Sequence, residues 1–137
     1  MKSQIFKITL LVFLLYSNNI LAGNNYRLTV NVKGITTIKG ELYIAIYSGE
    51  ENFQKKAVAA TRIKVKHSSE SVSFNLPKGE YAITLYQDVN NNGRLDKLFS
   101  VPIEPYGVSN NRDGFPTYDG VKFIFNKNMS SNIQLKN

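Results

Sequence analysis

The chain has 137 residues, no cysteine, one histidine and a formal net charge of +7. That length suits one compact domain of ~100–150 residues. The missing cysteines leave the core to burial alone, and they also remove the lipid-attachment residue of a lipoprotein. With one histidine the usual zinc sets are excluded too.

In chain order, the first reading is an export signal over residues 1–22. Lys2 and Lys7 accompany the apolar run Ile8–Tyr16, and Ala22 offers a cleavage position. The run falls short of the ~20 residues that span a bilayer. No second apolar segment follows, so no transmembrane segment is expected in the mature chain. Residues 23–137 are expected to form a single domain, periplasmic or secreted. Export argues against a nucleic-acid partner, while the mild positive charge suits glycans, lipid head groups or acidic proteins.

The rest reads as strands. Tyr26, Leu28, Val30 and Val32 alternate with polar residues, the period of a half-buried strand, and Gly34 ends the run. Glu41–Tyr47 (ELYIAIY) is apolar on both faces and predicts a central strand. Between Ser48 and Ala60, Glu50 and Glu51 precede Lys55 and Lys56, a charge order that predicts a short helix with Phe53 plugging the core. Ile63 and Val65 alternate with Arg62, Lys64 and Lys66. The stretch HSSE turns into Val72, Phe74 and Leu76, and Pro77-Lys78-Gly79 turns into the strong strand Tyr81–Gln87. Asp88–Gly120 is rich in Asn, Gly, Pro and Asp and reads as a long ordered loop. Val121, Phe123 and Phe125 alternate again, and Ile133 with Leu135 closes the chain. About seven short strands predict an all-β fold, a single antiparallel Greek-key β-sandwich with a long loop segment before its last strands.

The loop DVNNNGRLD carries the clearest chemistry. Counted from Asp88, oxygens fall at positions one (Asp88), three (Asn90), five (Asn92) and nine (Asp96), and Gly93 stands at six. This follows the opening of a calcium loop, in which glycine permits the sharp bend and position seven, here Arg94, offers its carbonyl. Position twelve is Phe99 instead of a bidentate glutamate, so the shell of ~6–8 oxygens needs a distant carboxylate, with Glu104 the nearest downstream. Weak calcium binding is one expectation. A metal-free turn, with Asn and Asp hydrogen-bonding their own backbone, is the other.

Around this loop the chain resembles the bacterial exported proteins grouped as domain of unknown function 2141. The resemblance rests on LPKGEYAITLYQDVNNNGRLD, VPIEPYGVSNN and FPTYDGVKF. Leu76, Pro77, Gly79, Tyr81 and Ala82 match its first motif. Asp88, Asn90, Asn92, Gly93, Leu95 and Asp96 match the second, and Pro102, Glu104, Tyr106, Gly107, Ser109 and Asn110 the third. Pro105, Val108 and Ser100 depart from it. The resemblance implies an exported β-sandwich similar to transthyretin-like or carboxypeptidase regulatory-like modules, and it implies no catalytic activity.

Two further features bear on function. Tyr106, Ser109, Asn110 and Asn111 offer one flat ring and several donors and acceptors, the equipment of a loop that recognises a glycan, peptide or protein; satisfying the loop's own backbone is the alternative use. Arg62, Lys64 and Lys66 form a basic stripe that either attracts an anionic surface or protects an edge strand. Enzymatic signals are thin, because His67 lies in a turn and no G-x-S-x-G occurs. The sequence reading is therefore an exported, non-enzymatic binding module of unknown envelope or extracellular ligand, stiffened by calcium in the 88–96 loop if the ion binds. Its alternatives are a carbohydrate-active enzyme using Asp96 and Glu104, and a purely structural envelope component.

Overall fold

The computed structural model describes residues 23–137. The export-signal reading of residues 1–22 lies outside the described residues. The fold is all-β. Ten strands run β1 (Asn25–Lys33), β2 (Glu41–Tyr47), β3 (Ala59–Lys64), β4 (Glu70–Pro77), β5 (Gly79–Asp88), β6 (Lys97–Leu98), β7 (Val101–Pro102), β8 (Tyr106–Val108), β9 (Phe123–Phe125) and β10 (Met129–Gln134). Of these, β6 to β9 hold two or three residues each, too short for alternation to show in the sequence.

Two sheets form the sandwich-like body. One has the order β10-β1-β4 and the other β3-β2-β5-β8, with β9 joined to the start of β5. Their facing sides alternate as the pleat requires. Leu28, Val30 and Val32 of β1 meet Leu42, Ile44 and Ile46 of β2 and Tyr81, Ile83 and Leu85 of β5, joined by Phe125 and Ile133. Each such fully buried side chain contributes roughly 1.5–3 kcal/mol. Among the described residues all pairings are antiparallel except that of β1 with β10. A parallel pair needs a long crossover, and here everything between Lys33 and Met129 serves as one.

The second sheet also has an outer face, and the sequence does not announce how it is covered. Ala82, Val108, Tyr118 and Val121 form a smaller apolar cluster there, with Phe53 packed on it. The predicted helix over 48–60 is reduced to one 3-10 turn, Glu50–Asn52. Gly49 enters it at φ +87, and Phe53 leaves in extended conformation to set its ring 5.5 Å from Tyr47 and 5.9 Å from Tyr118. Val121 likewise belongs to a one-turn helix, Tyr118–Val121, rather than to a strand. Thr117 caps it by accepting the Gly120 N–H, and the turn drives Val121 into the outer cluster.

Candidate functional site

Strand β5 ends at Asp88, and the loop that follows closes on itself. Asp88 is only 1% exposed; its carboxylate accepts the N–H of Asn92 at 3.1 Å and of Gly93 at 2.8 Å. Asn90 Oδ1 takes the Asn92 N–H, and Asn92 Oδ1 takes that of Arg94. The two asparagine amides turn their Nδ2 groups onto the Asp96 carboxylate at 2.7–2.8 Å. Asn91 at φ +55 and Gly93 at φ +80 supply the left-handed bends.

Glu104 then buckles this loop to the next segment. It is 7% exposed, and its two oxygens accept the N–H of Val89 and of Asp96, each at 3.1 Å. The Ile103 N–H adds a bond to the Asp96 carbonyl at 2.9 Å. Two residues later Tyr106 starts β8. The Asp88 loop and the Tyr106 segment thus share one end of the sheet.

Arg62 of β3 reaches the same place. Its guanidinium donates to the Gly93 carbonyl at 3.1 Å, lies 3.8 Å from the Asp88 carboxylate, and stacks 4.7 Å above the Tyr43 ring. Of the basic stripe, then, Arg62 is spoken for within the molecule, while Lys64 and Lys66 are exposed. Sequence gave Arg62 no such partner, because the contact spans three strands.

Register reveals a second arrangement. Arg62 stands opposite Tyr43, Tyr43 opposite Tyr86, and Tyr86 opposite Tyr106. These four side chains form one row across β3, β2, β5 and β8, on the face turned away from the main core. The Tyr43 and Tyr86 rings are 5.4 Å apart, and all three tyrosines are half-buried. With strands ~4.8 Å apart, the row runs roughly 14 Å. At its Tyr106 end it enters a groove of about 330 Å³, lined among others by Leu95, Lys97, Val101, Pro102, Gln54, Phe115 and Pro116. Tyr43 and Tyr47 share one face of ELYIAIY and Tyr86 lies on the face of YAITLYQ opposite Tyr81; which of them align does not show in the sequence.

The residues named from sequence divide accordingly. Asp88, Asn90, Asn92, Arg94, Asp96 and Glu104 come together, and Tyr106 lines the groove. Ser109 instead is 1% exposed, accepting the Ile83 N–H and donating to the Val121 carbonyl. Asn110 donates to the Lys122 carbonyl, and Asn111 bonds the backbone of Asn132 and Gln134 in β10. These three satisfy backbone groups. Among the described residues no three carboxylates or histidines converge as a metal group.

The amides of Asn92 and Asn90, with Arg94 beside them, hold the Asp96 carboxyl below its ordinary value of 3.8. A carboxyl depressed in the folded state stabilises fully above its unfolded value, and that contribution is lost as pH falls through the folded one. The loop is therefore expected to loosen only below pH ~3.8. The side-chain amide resonances of Asn90 and Asn92 should shift in that acid range, and Asp96→Asn should abolish the transition. Amide shifts centred near neutrality would contradict this arrangement.

The fold and this end of it define an all-β domain with a buckled polar loop beside an aromatic row. A family model described as "Uncharacterized protein conserved in bacteria (DUF2141)" matches residues 30–134, and the chain belongs to that family. No curated protein and no solved structure matches it.

Proposed function

We propose that the protein is an exported, non-enzymatic binding module that seats a glycan along the tyrosine row and into the groove beside Tyr106. The single observation that carries this is the in-register row Arg62, Tyr43, Tyr86, Tyr106. A sugar ring offers an apolar face to stack on aromatic rings, and hydroxyls at its edge. Tyrosine hydroxyls, Gln54, Thr84 and Ser100 supply donors and acceptors around such a ring. The groove volume lies at the lower end of the ~300–1,000 Å³ of ligand pockets.

Turnover fits the same residues poorly. A glycosidase acid needs a raised pKa, whereas Asp96 is depressed by Asn92 and Asn90. The other carboxylate, Glu104, already accepts two backbone N–H groups.

Calcium enters as a stiffener of the loop's outer side. Asn90, Asn92 and Asp96 already face one another there, so turning the two amides over would aim their oxygens at the Asp96 carboxylate. The Arg94 carbonyl and Asp88 complete the candidate ligands within the loop, and Glu104, the distant carboxylate expected to join them, has its two oxygens engaged by the Val89 and Asp96 N–H groups. With only two carboxylates the affinity belongs in the ~10⁻⁴–10⁻³ M range.

Titration of the labelled protein with hexose and amino-sugar oligosaccharides, followed by nuclear magnetic resonance, tests the reading. The amides of Tyr86, Tyr106 and Gly107 should move, and Tyr106→Ala should weaken binding about tenfold, or ~1.4 kcal/mol. The oligosaccharide should remain intact. Separately, about 10 mM calcium should raise unfolding stability by ~1–3 kcal/mol. Shifts confined to other surfaces, or cleavage of the sugar, would refute the binding-module reading; an unchanged stability would remove calcium alone.

A further inference from the structure

The segment that carries Lys97, Ser100, Val101 and Pro102 along the groove ends in a tip that projects into solvent. Among the described residues, strands β6 and β7 pair only with each other, as a two-stranded ribbon. Leu98 opposes Val101, and the two residues between them, Phe99 and Ser100, have φ of +49 and +65. Positive φ at both central positions is the tight hairpin turn that Asn-Gly adopts without strain and that a bulky aromatic residue disfavours. Yet Phe99 occupies the apex and is 93% exposed. Leu98, Val101 and Ile103 are more than half exposed as well, and by the alternation of the pleat Val101 and Ile103 share a face. Half of the exposed large apolar residues among the described ones lie in this short stretch.

We infer that this ribbon is a membrane-docking finger, whose Phe99 tip enters the interface of an anionic lipid bilayer. Between Lys97 and Ile103 the sequence KLFSVPI carries one cation and no carboxylate, with Asp96 and Glu104 at its two ends, and without Lys2 and Lys7 of the export signal the chain keeps +5 of its +7. That charge complements an anionic surface, and a few inserted apolar groups plus such attraction suffice for reversible binding. A second copy of the chain is a poorer occupant. Four side chains fall short of the ~800 Å² that each partner buries in a standard protein interface. The strained turn is accounted for in the same way, since it lifts an aromatic ring clear of the body where a local optimum would place glycine.

The chain has no tryptophan, so Phe99→Trp installs a single reporter in the full-length protein. Ile124→Trp is the control. Ile124 pairs with Glu80 near the start of β5, roughly 25 Å along the strand from Asp88. With vesicles of equal phosphatidylglycerol and phosphatidylcholine, Trp emission from Phe99→Trp should shift to the blue and be quenched by brominated acyl chains, while Ile124→Trp stays water-exposed. A companion, Phe99→Asn with Ser100→Gly and the reporter Leu98→Trp, should melt at a higher temperature than Leu98→Trp alone, yet lose affinity for those vesicles on the order of tenfold. An unshifted Phe99→Trp spectrum overturns the inference. So does an equal shift in the Ile124→Trp control, or a shift without vesicles that grows with protein concentration, which would mean self-association.

Discussion

Gly40→Ala is expected to cost about 3–5 kcal/mol of unfolding free energy and to disorganise the Asp88 loop from its root. Gly40 has φ +74, and a Cβ there would sit 2.0 Å from the backbone oxygen of Asp88. That neighbour is main chain, held in the ladder between β2 and β5, and cannot swing aside. The Gly40 carbonyl also accepts the Val65 N–H, while the buried Gln87 amide fixes the same turn through the carbonyls of Thr37 and Lys39. Relief would have to come from the strand end that launches the loop. Gly93 makes the comparison clean: its φ is +80, but nothing lies within 4 Å of the added carbon. Gly93→Ala carries conformational strain alone, about 1–2 kcal/mol. Urea unfolding of the two variants should separate steric exclusion from strain, and equal losses would mean that the contact at Gly40 has been overstated.

Glu104→Ala ranks next, at about 2–4 kcal/mol, because two partly buried backbone donors lose their acceptor at once. Glu104→Gln retains one acceptor oxygen and should cost roughly half as much. The consequence for function is larger than the stability change suggests. Without the buckle, the loop that bonds Arg62 and the strand that presents Tyr106 are no longer held in one frame, so oligosaccharide affinity should fall in Glu104→Ala although the residue lines no part of the groove.

Much of the body was legible residue by residue. Leu28, Val30 and Val32 alternate because one face of β1 is wet, and Glu41–Tyr47 reads as apolar throughout because β2 is covered on both sides. The Asp88 loop could be read for a related reason, since its hydrogen bonds join residues only two to six apart. What stayed hidden depends on register and on distant packing. The tyrosine row exists only once β2, β5 and β8 are aligned. Gly107, inside β8, allows the close approach of Ile133, whose Cγ2 would lie 2.6 Å from an added Cβ; in sequence it looks like one more loop glycine. Asn110 and Asn111 resembled recognition groups, yet their amides are used to tie the long connection to Lys122 and to β10. An exposed Phe99 in a tight turn runs against local preference, so nothing in the sequence separates the ribbon from the loop around it.

The central claim is that the buried Glu104 carboxylate makes the Asp88 loop and the Tyr106 strand a single site. Native-state hydrogen exchange on Glu104→Ala addresses it most directly. Amide protection should fall together in residues 89–96 and in residues 103–108, while β1 and β4 keep theirs. Loss of protection in only one of the two segments, with the other unchanged, would contradict the account.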